Sequence, residues 1–153
     1  MGTTMNIKII PYDESYKQSI FDFTDRVFRE LGKVFEPTGR HDFYNDISHS
    51  FKRFYCMLDD NNLIGTVGLK DIDGSTAELK SLYLASEFRG KGLGTMLLNK
   101  AISSAKELGY RALVLDSMSK YKSAMHLYER AGFVYIDRFN DNPYADIFMR
   151  LEI

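Results

Sequence analysis

Between residues 87 and 98 the chain reads EFRGKGLGTMLL. Three glycines stand at alternate positions, Gly90, Gly92 and Gly94, with Arg89 and Lys91 among them and an apolar run after. A plain turn needs one such glycine. Three let a row of backbone N–H groups approach a ligand with no Cβ in the way, and Arg89 and Lys91 add positive charge. Where such a turn opens a helix, the first N–H groups lack intrahelical acceptors and the helix dipole adds about half a positive charge. The chemistry favoured is the holding of an anion, above all a phosphate. Glycines alone leave a solvated turn as the alternative. Spacing excludes two familiar phosphate loops. The dinucleotide pattern GxGxxG meets Thr95 or Leu97 where its third glycine belongs, and GxxxxGK[ST] meets Thr95 at its second.

The elements that must position this loop follow from hydrophobic periodicity. Residues 5–12 read as a strand ending at Pro11. From Ser15 to about Leu31, Ile20, Phe23, Val27, Phe28 and Leu31 recur at helical spacing. A loop, Glu36-Pro37-Thr38-Gly39-Arg40, precedes a short helix over 42–48. FKRFYCMLD and LIGTVGLKDI form a hairpin across Asp60-Asn61-Asn62. TAELKSLYLA (76–85) is the strand that feeds the glycine loop. After it, Leu97, Leu98, Ala101, Ile102, Ala105 and Leu108 make one face of a long helix stopped at Gly109. RALVLDSM reads as a strand covered on both faces. A helix from Tyr121 to Arg130 ends at Gly132, and FVYIDRF and DIFMRLEI close the chain as strands around Asn140-Asp141-Asn142-Pro143. The order β-α-α-β-β-β-α-β-α-β-β predicts a mixed sheet with helices packed on it, and residues 76–118 a right-handed crossover. No linker or repeat divides the sequence, so one domain over 1–153 is expected.

Composition narrows the function. With 20 basic and 21 acidic residues the net charge is −1, which argues against a sequence-independent nucleic-acid binder. No apolar run approaches the roughly 20 residues of a membrane span, and MGTTMNIKII lacks the pattern of a secretory signal. Met1-Gly2 is followed by Asn6 where myristoylation asks for Ser or Thr. Cys56, the only cysteine, sits in the apolar run FYCML and reads as a packing residue; His41, His49 and His126 are scattered, so no metal site is expected. The expectation is a cytoplasmic protein with neither membrane nor nucleic-acid partner.

The run Arg89-Gly90-Lys91-Gly92-Leu93-Gly94 fits R-x-x-G-x-G, preceded by the strand ELKSLYLA and followed far downstream by SAMHLYERAGF. This combination resembles the acetyl-CoA loop and the tyrosine-bearing helix of the GNAT superfamily of N-acetyltransferases. EPTGRHD and FNDNPYADIFMRLEI resemble a bacterial branch of small-substrate members. The resemblance covers most of the chain. It implies an α/β fold: a mixed, mostly antiparallel seven-stranded sheet flanked by helices. It also implies acetyl transfer from acetyl-CoA, without a metal, to a primary amine by direct attack in a ternary complex.

Carried over residue by residue, the resemblance puts the pyrophosphate of the coenzyme on the N–H groups from Arg89 through Gly90, Lys91, Gly92, Leu93 and Gly94 to Thr95. The pantetheine arm pairs with the backbone of Leu82, Tyr83 and Leu84. Glu78 is the candidate base, against a surface glutamate paired with Lys80. Tyr128 is the candidate donor to the coenzyme sulfur, against an ordinary helix residue. Ser119 and Ser123 flank a helix start and either cap it or touch coenzyme, a cap being favoured for at least one. Arg26, Arg40, His41 and Tyr44, with Tyr144 from the other end, are candidates to read a substrate carboxylate, each against a solvated surface residue. The acceptor is a small-molecule amine, an amino acid or polyamine. The alternatives are a protein N-terminus or lysine, or a non-catalytic acetyl-CoA sensor. Dimers are common in the superfamily, but no interface stripe is legible here.

Overall fold

The computed structural model describes residues 4–153; Met1-Gly2, read above for acylation, lie outside the described residues. Seven strands form one sheet in the order β1-β2-β3-β4-β5-β7-β6. They are β1 (Ile7–Pro11), β2 (Arg53–Asp59), β3 (Asn62–Asp71), β4 (Thr76–Leu84), β5 (Ala112–Ser117), β6 (Val134–Tyr135) and β7 (Ile147–Glu152). Every neighbouring pair is antiparallel except β4 and β5, which run parallel. The expected mixed, mostly antiparallel sheet is what the chain folds into.

Strand alternation divides the core between the two faces. On β2, Tyr55 and Met57 join Ala77, Leu79, Leu113 and Leu115 beneath α3 (Leu93–Glu107) and α4 (Lys122–Ala131). The intervening Phe54, Cys56 and Leu58 face α1 (Lys17–Glu30) and α2 (Ile47–Ser50). Cys56 is fully buried, and burial pushes its thiol up to about 12, so it packs and does not react. Helix α3 lies close on the sheet because Gly65 yields to it: a Cβ there would stand 2.8 Å from Leu97 Cδ1.

Helix α1 ends in a Schellman motif. Gly32 takes φ +74, its N–H bonds Arg29 O at 3.1 Å, and the Lys33 N–H bonds Phe28 O at 2.7 Å. The backbone of Lys33 is thereby fixed to the end of the helix.

Two expectations are corrected. The short helix predicted over 42–48 is mainly a 3-10 turn, Asp42–Asp46, with a single α turn after it. The strand predicted over 133–139 shrinks to Val134–Tyr135. Past it, the Ile136 N–H still bonds Phe148 O at 2.9 Å, and then Arg138 donates to the carbonyls of Asn140, Asn142 and Ala145, which folds the segment onto itself.

Candidate active site

Strand β4 passes through a 3-10 turn, Ser86–Phe88, into the glycine loop and then α3. Gly90 and Gly92 take φ +77 and +78, and Gly92 caps the helix. A Cβ on either would meet nothing within 4 Å, so their left-handed backbone, and not crowding, calls for glycine. Gly94 is different: it is helical, and a Cβ would come within 3.7 Å of Leu127. Among the described residues, none of the N–H groups from Gly90 to Thr95 has a protein acceptor. The Arg89 N–H is the exception, because it closes the preceding turn onto Ser86 O at 3.2 Å, so the expected cradle begins one residue later. Six consecutive free donors with two cationic side chains are chemically suited to a pyrophosphate.

Beside this loop the sheet opens. Strands β4 and β5 pair only at Thr76↔Ala112, Ala77↔Leu113 and Glu78↔Val114, although β4 runs on to Leu84 and β5 to Ser117. The β3–β4 register shifts at the same level, between Thr66 and Gly68, and Ser81 takes φ +58, a conformation rare for a residue with a Cβ. Two bonds hold this bulge. Thr66 Oγ1 donates to Ser81 O at 2.7 Å, and Tyr44 OH shares a hydrogen bond with Ser81 Oγ at 2.7 Å. Beyond the bulge, Leu82, Tyr83 and Leu84 have no strand on their β5 side. Their backbone there must find another partner.

Glu78 lies at the closed end of the wedge, its side chain 14% exposed and 3.6 Å from Lys80 Nζ. Burial pushes its carboxyl above the usual range, Asp116 adds to this, and Lys80 and Lys70 oppose it without cancelling it. Tyr128 reaches the wedge from α4. It is 7% exposed, its ring packs edge-on to Phe133 at 5.8 Å, and burial and the Asp116 charge push its phenol up. Burial pushes the Tyr83 phenol well up, and the nearby Tyr44, Tyr128 and Tyr121 phenols and the Asp116 carboxylate act in the same direction.

The other sequence candidates divide. Arg40 and Tyr144 are brought together, the guanidinium 3.8 Å above the ring, so the segment after α1 and the β6–β7 loop meet there. Arg26 does not join them; it pairs with Glu87 and Glu30 over a groove lined by Leu63, Ile64 and Ala85. Tyr44 is 1% exposed and spends its hydroxyl on Ser81, so it faces core and supports the wedge from behind. His41 is 6% exposed among Phe28, Phe35 and Phe43, with Nδ1 accepting the Glu36 N–H at 2.9 Å. Neither Tyr44 nor His41 offers a charge to a carboxylate. Ser119 caps nothing: its N–H and Oγ both bond Asp146 at 2.7 Å, which ties the β5–α4 loop to the loop before β7. Ser123 is exposed in the first turn of α4 and makes no cap either.

Three residues that sequence reasoning missed belong to the wedge. Ser81 builds the bulge. Asp116 accepts from Asn140 at 2.7 Å and Asn142 at 3.4 Å. Lys33 places Nζ 3.4 Å from Tyr83 OH.

The buried His41 makes a stability prediction. Burial first, then the charges of Arg40, Lys33 and Lys80, lower its pKa from 6.5 to about 4. The unfolded chain takes up a proton below 6.5 that the fold refuses until about 4, so His41 costs stability as pH falls through that window. His41→Phe loses the bond to Glu36 N–H, about 1 kcal/mol at pH 7. The Tm gap between wild type and His41→Phe should narrow steadily on acidification. A gap constant from pH 7 to pH 4 would contradict a neutral His41.

With this geometry in place, similarity to known proteins decides the family. The family model described as "Acetyltransferase (GNAT) family" matches residues 18–133, more than half of the chain. The chain belongs to the GNAT family. Streptothricin acetyltransferase A of Bacillus subtilis is 35% identical over 121 residues, covering 78% of this chain and 69% of that protein. N-alpha-acetyltransferase 30 of Schizosaccharomyces pombe is 28% identical over 132 residues, covering 83% of each. Other curated relatives are longer proteins: the match spans 36% of an uncharacterized N-acetyltransferase of Dictyostelium discoideum and 56% of one from S. pombe. In three dimensions this GNAT domain is similar to an acetyltransferase of the GNAT family from Staphylococcus aureus Mu50, with 25% identity, TM-score 0.86 and coverage of 96% and 99% of the two chains. A GNAT family acetyltransferase from Elizabethkingia anophelis with acetyl-CoA bound shares the fold at 23% identity, TM-score 0.74, covering 97% and 99%. Among the described residues no helix is long and apolar enough to cross a membrane.

Proposed function

We propose that this GNAT domain transfers the acetyl group of acetyl-CoA to the primary amine of a small molecule by direct attack in a ternary complex. The observation that carries the reading is the row of acceptor-free N–H groups from Gly90 to Thr95 opening directly onto the β4–β5 wedge. One feature holds a pyrophosphate and the other holds an amide-bearing arm, in the arrangement the pantetheine of coenzyme A requires. When bound, acetyl-CoA supplies the acetyl thioester. Arg89 and Lys91 neutralise its phosphates, and the free backbone of Leu82, Tyr83 and Leu84 pairs with its amides as an added strand does. An N–H of the same stretch polarises the acetyl carbonyl. Glu78, directly or through one water, accepts the proton of the attacking ammonium. Tyr128 OH donates to the departing sulfur.

A small acceptor is supported by the relative whose name gives streptothricin as its acceptor, of which the chain covers 69%. The relative named as an N-alpha-acetyltransferase keeps a protein α-amine as the second reading. Thermal unfolding with acetyl-CoA is the direct test. At a hundred times the Kd, binding adds about 2.7 kcal/mol and should raise Tm by roughly 5 to 11 °C, with ATP and NAD inert. In Gly92→Ala a side chain must sit at φ +78, in the middle of the row of free N–H groups. It should cost roughly 1 kcal/mol of stability and weaken acetyl-CoA about tenfold or more. An unmoved Tm at millimolar acetyl-CoA would sink the proposal, and binding without turnover on any amine would leave a sensor.

A further inference from the structure

The wedge mouth carries cations that acetyl transfer does not use. Lys33 extends from the Schellman end of α1 on a fixed backbone, lies 4.3 Å above the Phe28 ring, and puts Nζ 3.4 Å from Tyr83 OH. Tyr83 belongs to the stretch of β4 that β5 leaves unpaired, and its ring packs on Phe28 at 5.2 Å, so this ammonium stands beside the open part of the wedge. No carboxylate lies within 4 Å of it among the described residues. Its charged neighbours come from every element around it: Arg40 from the segment after α1, Lys80 from β4, Lys120 from the β5–α4 loop, and Asp116 from β5. Three of the four repel it. Of these, Lys80 is paired with Glu78 at 3.6 Å, while Arg40 lies 3.8 Å over the Tyr144 ring and pairs loosely with Glu36 at 3.9 Å. Two acids accompany these cations, Glu78 beside Lys80 and Asp116, which accepts from Asn140 and Asn142.

We infer that the acceptor is a bipolar small molecule, a primary amine that also carries a carboxylate, whose anionic end is read by Lys33 and Arg40 while its ammonium faces Glu78 and Asp116. This rests on the transfer reading above and names its substrate class. A diamine would set a second cation against Lys33 and Arg40 and is excluded by the same charges. Burial and the neighbouring cations lower the Lys33 pKa from 10.5 to about 8, so the reader is mostly charged at pH 7 and lost above pH 8.

The test compares matched amines with and without the acid, γ-aminobutyrate against butylamine and β-alanine against propylamine, as ratios of kcat/KM. Wild type should prefer the acid-bearing member by about tenfold or more at pH 7. The preference should shrink as pH passes 8, and Lys33→Met or Arg40→Gln should each erode it. A readout independent of turnover uses butyrate alone on the acetyl-CoA complex. It should raise the Tm of wild type and raise that of Lys33→Met less. Equal use of both members of a pair, a preference for putrescine, or equal butyrate shifts in wild type and both variants would overturn the inference. A Tm unmoved by acetyl-CoA itself would instead overturn the transfer reading beneath it.

Discussion

Glu78→Gln is expected to lower kcat/KM by about a hundredfold or more, the range a positioned general base supplies. The argument begins with a mismatch. An ordinary carboxylate near pKa 4.3 is a weak base toward an alkylammonium near 10.4. In this protein burial raises the Glu78 carboxyl, so the gap narrows at the position where the wedge closes. The rate should therefore fall on acidification through a pKa above the usual carboxylate range, and that limb should vanish in Glu78→Gln. Stability separates catalysis from folding damage. The folded pKa lies above the unfolded one, so ionised Glu78 costs stability above its folded pKa and costs nothing below the unfolded value. Glutamine removes that cost while giving up a Lys80 contact of 3.6 Å, so the variant should melt no lower than wild type by more than a degree or two at pH 7. A variant that keeps wild-type kcat/KM and its acid limb would remove Glu78 from the mechanism.

Tyr128→Phe should lower kcat by roughly 10- to 100-fold, with a smaller change in KM for acetyl-CoA. The ring keeps its edge-on packing against Phe133 at 5.8 Å, so the fold should be undisturbed. A thiolate leaving near pKa 8.5 is a weaker base than a phenolate near 10, and here burial and Asp116 push the phenol higher still. Tyr128 therefore acts as a hydrogen-bond donor to sulfur more than as a full acid. Its own ionisation should put no alkaline limb into the pH–rate profile below pH 10. Such a limb, present in wild type and absent from Tyr128→Phe, would show that the phenol gives up its proton.

The fold was legible because its elements are strongly periodic. The apolar face of α1, the alternation of β2 and the glycine stops at Gly109 and Gly132 each encode one element locally, and the element order then leaves few topologies. The glycine loop was legible because the left-handed backbone at positions 90 and 92 calls for glycine. The rest of the site was not written locally. Ser81 carries a left-handed backbone without a glycine to announce it, because Tyr44 and Thr66 hold it there from other elements. Lys33 looks like any cation at a helix end, and Asp116 like the edge of an apolar strand. Tyr44 and His41 were misplaced for the converse reason. Their stretch has no periodicity, and its aromatic density, Phe35, Phe43 and Tyr44, makes a small core that draws polar neighbours inward. Arg26 was misplaced because helical spacing gives no sign of which neighbour a surface arginine will meet.

Strand β4 is read in two frames. Counting by twos, Ala77 and Leu79 face α3, and so do Leu82 and Leu84, which an unbroken strand would send to the opposite side. Tyr83 and Ala85 consequently share a face with α1. The phase change at Ser81 lets one strand show a carboxylate and, five residues on, a phenol to the same cleft, an odd interval no regular strand can bridge. Substitutions in β4 exchange one side chain at a time. Losing or gaining a single residue there would transpose everything downstream, pointing Leu84 at the acceptor and Tyr83 into the core. Length, more than composition, is what this strand cannot vary.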